Sequence, residues 1–152
     1  MIAQKTILSP VGELTLTDAN GAIVSLNWGA GRDQASTQLL EKAAEQLHAY
    51  FDGTLKTFDL PLSPPVSNHG QTVLNAMQKI GYGETATYAH IAGVVGSSPR
   101  AVGGACGRNP IPIIIPCHRV LSAAGMGGYS GEGGLETKRA LLALEGALQR
   151  CI

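Results

Sequence analysis

Three consecutive side chains with chemical potential, Cys117, His118 and Arg119, lie between Pro116 and Val120. A free cysteine has a pKa of ~8.5, so about 3% is thiolate at pH 7. Neighbouring cations raise that fraction, and the thiolate is the species that attacks carbon. The run before it, Asn109-Pro110-Ile111-Pro112-Ile113-Ile114-Ile115, cannot form a helix, because both prolines lack a donor and fix φ. It predicts a stiff, buried support, which positioned chemistry requires. An isolated cysteine is most often a small buried apolar residue. The block as a whole, not the thiol alone, therefore carries the argument.

The elements that must position this block divide near residue 65. In the first part, residues 14–17 alternate as a half-buried strand does, Asn20-Gly21 signals a hairpin, and residues 22–28 supply the returning strand. Asp33 is the expected N-cap of a helix over 34–51, with Leu39, Leu40, Ala43, Leu47, Tyr50 and Phe51 at helical spacing and Gly53 as its stop. A short strand is expected at 58–60, and Pro61, Pro64, Pro65 and Gly70 read as a linker. In the second part a helix is expected over 71–80, ended by Gly81-Tyr82-Gly83. Thr87 caps a short helix to Val95, Gly96-Ser97-Ser98 turns the chain, and Pro99 opens a helix over 100–107. Two short helices joined in this way predict a helix-turn-helix. A last helix is expected over 136–148.

The second helix of that pair lacks the long polar side chains that read the major groove. Its small residues, Ala101 to Ala105, allow close approach to DNA in the minor groove, or equally tight packing against another helix. Arg100 stands at its start.

The 152 residues can bury a proper core, and 44% apolar with 14% charged side chains is ordinary for a globular chain. Net charge is zero, which argues against a strongly basic nucleic-acid binder. Residues 1–68 carry four basic against seven acidic side chains, whereas 69–152 carry seven against four, so a polyanion is expected to meet the C-terminal half. No apolar run approaches 18 residues, so no membrane span is expected, and residues 1–5 lack a signal-peptide core. Three cysteines, Cys106, Cys117 and Cys151, fit a reducing cytoplasm better than a disulfide framework. No Cys-x-x-Cys pair occurs, and neither metal nor cofactor is expected.

The block Pro116-Cys117-His118-Arg119 resembles the active-site signature of the O6-alkylguanine-DNA alkyltransferases, the methylated-DNA–protein-cysteine methyltransferases. The resemblance covers nearly the whole chain and is densest from Tyr82 to Glu145. It includes Tyr82-Gly83-Glu84-Thr85, Thr87-Tyr88, Arg100-Ala101-Val102-Gly103, Asn109-Pro110, Gly128-Tyr129-Ser130-Gly131 and Glu145-Gly146. It implies an α+β fold: an RNase H-like α/β domain over 1–65, then a mostly helical helix-turn-helix domain over 66–152. The implied activity is DNA repair, by irreversible transfer of the alkyl group of O6-alkylguanine in duplex DNA to Cys117. O4-alkylthymine is the second candidate lesion, and the protein is expected to act as a monomer.

The likeness also assigns roles. Arg100 would replace the flipped nucleotide, while Thr87, Tyr88 and Ala101 would lie on the DNA side. Tyr88 would donate to the departing guanine. The carbonyls of Cys117 and Val120 would accept from the guanine amino group, the backbone near Tyr129 and Ser130 would face O6, and Asn109 would hold the turn beneath the cysteine. Neighbours in sequence make a poor direct hydrogen bond, so a water would bridge His118 to Cys117, with Glu145 orienting the imidazole. A carboxylate at a helix C-terminus opposes the dipole, so Glu145 should have a specific partner. Departures from the family pattern at 68–75 and at Gly81 concern packing. The competing readings are a non-catalytic lesion- or DNA-binding protein, a Cys-His hydrolase, and a metal site built from Cys106, Cys117 and histidines.

Overall fold

A computed structural model describes residues 2–31, 35–123, 125–126 and 134–147. The chain separates into two compact units, Met1–Pro65 and Val66–Ile152.

In the first unit, β1 (Ile2–Ser9), β2 (Gly12–Ala19) and β3 (Ala22–Trp28) form an antiparallel sheet in sequence order. Asn20 and Gly21 both take positive φ, 53° and 87°, as a two-residue primed turn requires. Helix α1 (Gln38–Phe51) buries Leu40, Ala43, Ala44, Leu47 and Tyr50 and packs on β1 and β2. Strand β1 was not foreseen in the sequence, because Lys5 interrupts the buried positions Ala3 and Ile7.

The cap of α1 is Thr37, not Asp33, which lies outside the described residues, as do 32 and 34. Thr37 Oγ1 accepts from Leu40 N–H and donates to Asp18 Oδ2 at 2.8 Å, while Asp18 Oδ1 accepts from Gly21 N–H. One carboxylate thus ties the hairpin turn to the helix start. No strand forms at 58–60: Gln46 engages both main-chain groups of Asp59, and the sheet is extended instead at Leu62, which bridges Ile23 in parallel. The expected linker is therefore shorter than residues 61–70.

The second unit contains α2 (Asn68–Met77), β4 (Ala86–Thr87), α3 (Tyr88–Val95), α4 (Pro99–Gly107), a 3-10 turn (Cys117–Arg119), β5 (Val120–Leu121) and α5 (Leu135–Glu145). Helix α2 begins three residues before its expected start and ends at Met77, short of Ile80. Ser67 Oγ caps it by accepting from Gly70 N–H, and a Cβ on Gly70 would lie 3.1 Å from Val66 Cβ. Gly70 thus serves close packing within a helix turn rather than a linker. The helix-turn-helix forms as expected: Thr87 and Ser98 cap its helices, Gly96 takes φ 70° between them, and Pro99 occupies the first turn of α4. Helix α5 ends at Glu145, earlier than the expected 148, because Gly146 turns left-handed at φ 76°. Strands β4 and β5 pair in parallel, Ala86 with Val120 and Thr87 with Leu121. Two-residue strands show no periodicity, so this link was not legible in the sequence. Among the described residues no helix is long and apolar enough to cross a membrane.

Replacing Thr37 by alanine removes the cap and one ligand of Asp18. A loss of about 1–2 kcal/mol is expected, read as a lower urea midpoint in the fluorescence of Trp28, the one tryptophan and a residue of β3. Thr37→Ser should recover most of it.

Candidate active site

Cys117 is carried by a loop whose ends are clamped from within. Asn109 Nδ2 donates to the Ile115 carbonyl at 3.0 Å, and Asn109 Oδ1 accepts from Ile111 N–H at 3.0 Å. Ile115 N–H bonds the Ile111 carbonyl at 2.9 Å, and Cys117 N–H bonds the Ile115 carbonyl at 2.8 Å. The prolines stiffen this loop, and Asn109 closes it. Ile113 pays the conformational cost, with φ 75°, a region that a β-branched residue rarely enters. Such a residue costs about 1–3 kcal/mol and persists only where its surroundings fix it. Here Ile111, Ile113, Ile114 and Ile115 are all buried.

Beyond the loop, the 3-10 turn presents Cys117, His118 and Arg119, all buried, beside the end of α5. His118 Nε2 lies 2.7 Å from Glu145 Oε2. Arg119 grips the same carboxylate with a fork, Nε to Oε1 at 2.8 Å and Nη2 to Oε2 at 3.0 Å, and its Nη1 donates to the Ile80 carbonyl at 2.6 Å. Gly83 N–H adds a longer contact to Oε1. The other imidazole nitrogen, Nδ1, has no hydrogen-bond partner among the described residues. Glu145 thus has the specific partners that its position at a helix C-terminus called for.

Burial pushes the Cys117 thiol up, opposed by Asn109 and the Lys138 ammonium. Burial likewise holds His118 below the ordinary histidine range, against the pull of Glu145. Burial thus favours the neutral form of both, a thiol and an imidazole. The expectation that Arg119 activates the thiol needs correction, since its guanidinium is engaged by Glu145 and Ile80. The cation acting on Cys117 is Lys138. It is fully buried on α5, its own pKa is lowered by burial, and it donates to the Val120 carbonyl at 2.7 Å and to the Met126 carbonyl. Its Nζ lies 5.9 Å from the Tyr88 ring centroid, which brings Tyr88 to the same cluster.

The structure thus gathers Cys117, His118, Glu145, Asn109, Val120 and Tyr88 around the loop and the end of α5. Thr87 caps α3 and pairs with Leu121, while Arg100 is exposed and Ala101 half-buried at the start of α4. Tyr129, Ser130 and Cys151 lie outside the described residues. Cys106 is buried on α4 with Sγ 3.3 Å from Met77 Sδ, and burial pushes its thiol up to about 12, as suits an inert packing residue. The carbonyls of Cys117 and Val120 already accept, from Val120 N–H and Lys138 Nζ respectively. Each retains a second lone pair.

Lys138 and the Arg119–Glu145 fork were missed in the sequence. A signal for Lys138 exists: it precedes Leu141, Leu142 and Glu145 by three, four and seven residues, on the buried stripe of α5. Nothing local marks the partner of Arg119.

Residues 68–147 match the family model of the 6-O-methylguanine DNA methyltransferase DNA binding domain, and residues 2–64 that of the ribonuclease-like domain of the same proteins. A methylated-DNA–protein-cysteine methyltransferase of Methanosarcina acetivorans is 40% identical over 150 residues, covering 91% of this chain and 95% of the relative. That of Mycobacterium tuberculosis is 41% identical over 155 residues, covering 95% and 93%. The crystal structure of the M. tuberculosis O6-methylguanine methyltransferase superposes with a TM-score of 0.86 at 38% identity, covering 100% of this chain and 97% of that one. The M. tuberculosis protein in complex with DNA gives 0.85 at 41%, covering 95% and 93%. With a ribonuclease-like domain followed by a helical DNA-binding domain, and with both family models matched, the chain belongs to the 6-O-methylguanine DNA methyltransferase family.

Proposed function

We propose that this protein repairs DNA by moving the alkyl group from O6 of guanine to Sγ of Cys117. One observation carries the mechanism. The buried thiol sits next to an imidazole whose Nε2 is committed to Glu145 and whose Nδ1 is left to serve as a base. In the transfer, Sγ bonds the alkyl carbon as the carbon–O6 bond breaks. The thiol proton passes through a bridging water to His118 Nδ1. The departing guanine anion takes a proton or hydrogen bond from Tyr88, whose ring neighbours Lys138. The Lys138 charge stabilises the thiolate as it forms. Asn109 keeps the loop closed, so that Cys117 is held at one position. The second lone pairs of the Cys117 and Val120 carbonyls receive the guanine amino group.

The product is a thioether, with no acidic proton and no easy leaving group. The protein is consumed, one alkyl group per chain. The partner is duplex DNA carrying O6-alkylguanine, with O4-alkylthymine as a second lesion of like chemistry. The base must leave the stack to reach a buried thiol. Small α4 approaches through the minor groove, and Arg100, exposed at its start, fills the gap. The relative solved with DNA supports this partner. Free thiols at Cys106 and Cys117 fit a cytoplasmic protein, and one chain supplies every reacting group, as a monomer would.

Cys117→Ser should keep the wild-type affinity for methylated duplex in a gel-shift titration and lose all methyl transfer. Continued transfer by that variant would refute the assignment. Arg100→Ala should slow repair of duplex by an order of magnitude or more while sparing reaction with free O6-methylguanine base. Equal losses on the two substrates would exclude a role in extruding the nucleotide.

A further inference from the structure

A carboxylate bonded to a buried imidazole pulls it toward its charged form, against the burial that favours the neutral one. An imidazolium has no lone pair and cannot receive the Cys117 proton. His118 has such a partner at 2.7 Å. The carboxylate, however, is shared. Arg119 supplies two of its close donors and a permanent positive charge, and the side chains of both residues are almost fully buried. The guanidinium is fixed on its remaining sides by the Ile80 carbonyl and by the Tyr82 ring, whose centroid is 5.9 Å away and whose hydroxyl donates to the Leu144 carbonyl.

We propose that Arg119 is a positioning residue for alkyl transfer: by neutralising Glu145 it keeps His118 uncharged, with Nδ1 open to the thiol proton. The inference rests on the reading of His118 as proton acceptor and adds what makes that reading work. The groups that face His118 agree with it. From α5 come Glu145, already neutralised, and Lys138, whose charge also disfavours an imidazolium. On the same turn, burial favours the neutral thiol of Cys117. Helix α2, which packs on the turn, carries no Asp, Glu, Lys or Arg, and its His69 is exposed and bonded to Ser97.

The test follows the His118 ring by NMR titration in the full-length protein, beside the pH dependence of methyl transfer from an O6-methylguanine duplex. In the wild type, proton uptake and the acid limb of the rate should both lie below the ordinary value of about 6.5. In Arg119→Gln both should rise by about one pH unit or more. In Arg119→Gln/Glu145→Gln, which removes both charges, His118 uptake should return below the ordinary value. Should Arg119→Gln fail to fold, Arg119→Lys takes its place, since an ammonium cannot reproduce the fork, and a rise of several tenths of a unit is expected. An unmoved His118 titration in the folded single variant, or an uptake in the double variant as high as in the single, overturns the proposal. A raised titration with an unchanged rate profile instead defeats the reading of His118 as acceptor.

Discussion

The arrangement of the second unit depends on one buried anion. Removing a carboxylate from water costs several kcal/mol unless charge and hydrogen bonds compensate it. Glu145 has both, from His118, Arg119 and Gly83. Three separate stretches of chain are thereby fixed to one another: the 3-10 turn, the segment from Ile80 to Gly83, and the end of α5. Gly83 and Gly146 take left-handed conformations beside this carboxylate, and a Cβ on Gly83 would lie 3.1 Å from the Glu145 carbonyl. Cluster and backbone turns therefore specify each other. Breaking such a group by removing one partner costs far more than the group adds to stability.

The same cluster joins the helix-turn-helix to the loop bearing the thiol. Helix α3 opens at Thr87, and Thr87 is also the end of β4, paired with the strand that leaves the 3-10 turn. Lys138 crosses from α5 to the Val120 carbonyl on that strand and to the face of Tyr88. The helix-turn-helix and the loop bearing the thiol are thus joined by two short links. That loop holds the strained Ile113 and is closed by Asn109 through Ile111 and Ile115.

Much of this was legible from the residues, for identifiable reasons. Asn20-Gly21, Thr87, Ser98-Pro99 and Gly96 act locally, through turn and cap chemistry, and the hairpin and helix-turn-helix follow from them. Glu145 was legible as a carboxylate at odds with its helix dipole. Features set by distant partners were not. Asp59 looks like part of a strand until Gln46 takes its main chain, and the cap of α1 falls at Thr37, which bonds Asp18 from the hairpin. Arg119 stood in view as an activating cation for its neighbour, yet its charge is committed to a side chain 26 positions away. Lys138 was hidden because a lysine on a helix reads as solvated, although its spacing to Leu141 and Leu142 places it inside.

The central claim is that a single sulfur accepts the lesion carbon and is spent by doing so. Its most direct test is intact-mass measurement of the full chain after incubation with excess O6-methylguanine duplex, followed by peptide mapping. The account predicts the addition of one methyl group, no more with longer exposure, located on Cys117. An unmodified chain, a methyl on another residue, or more than one lesion repaired per chain would contradict it.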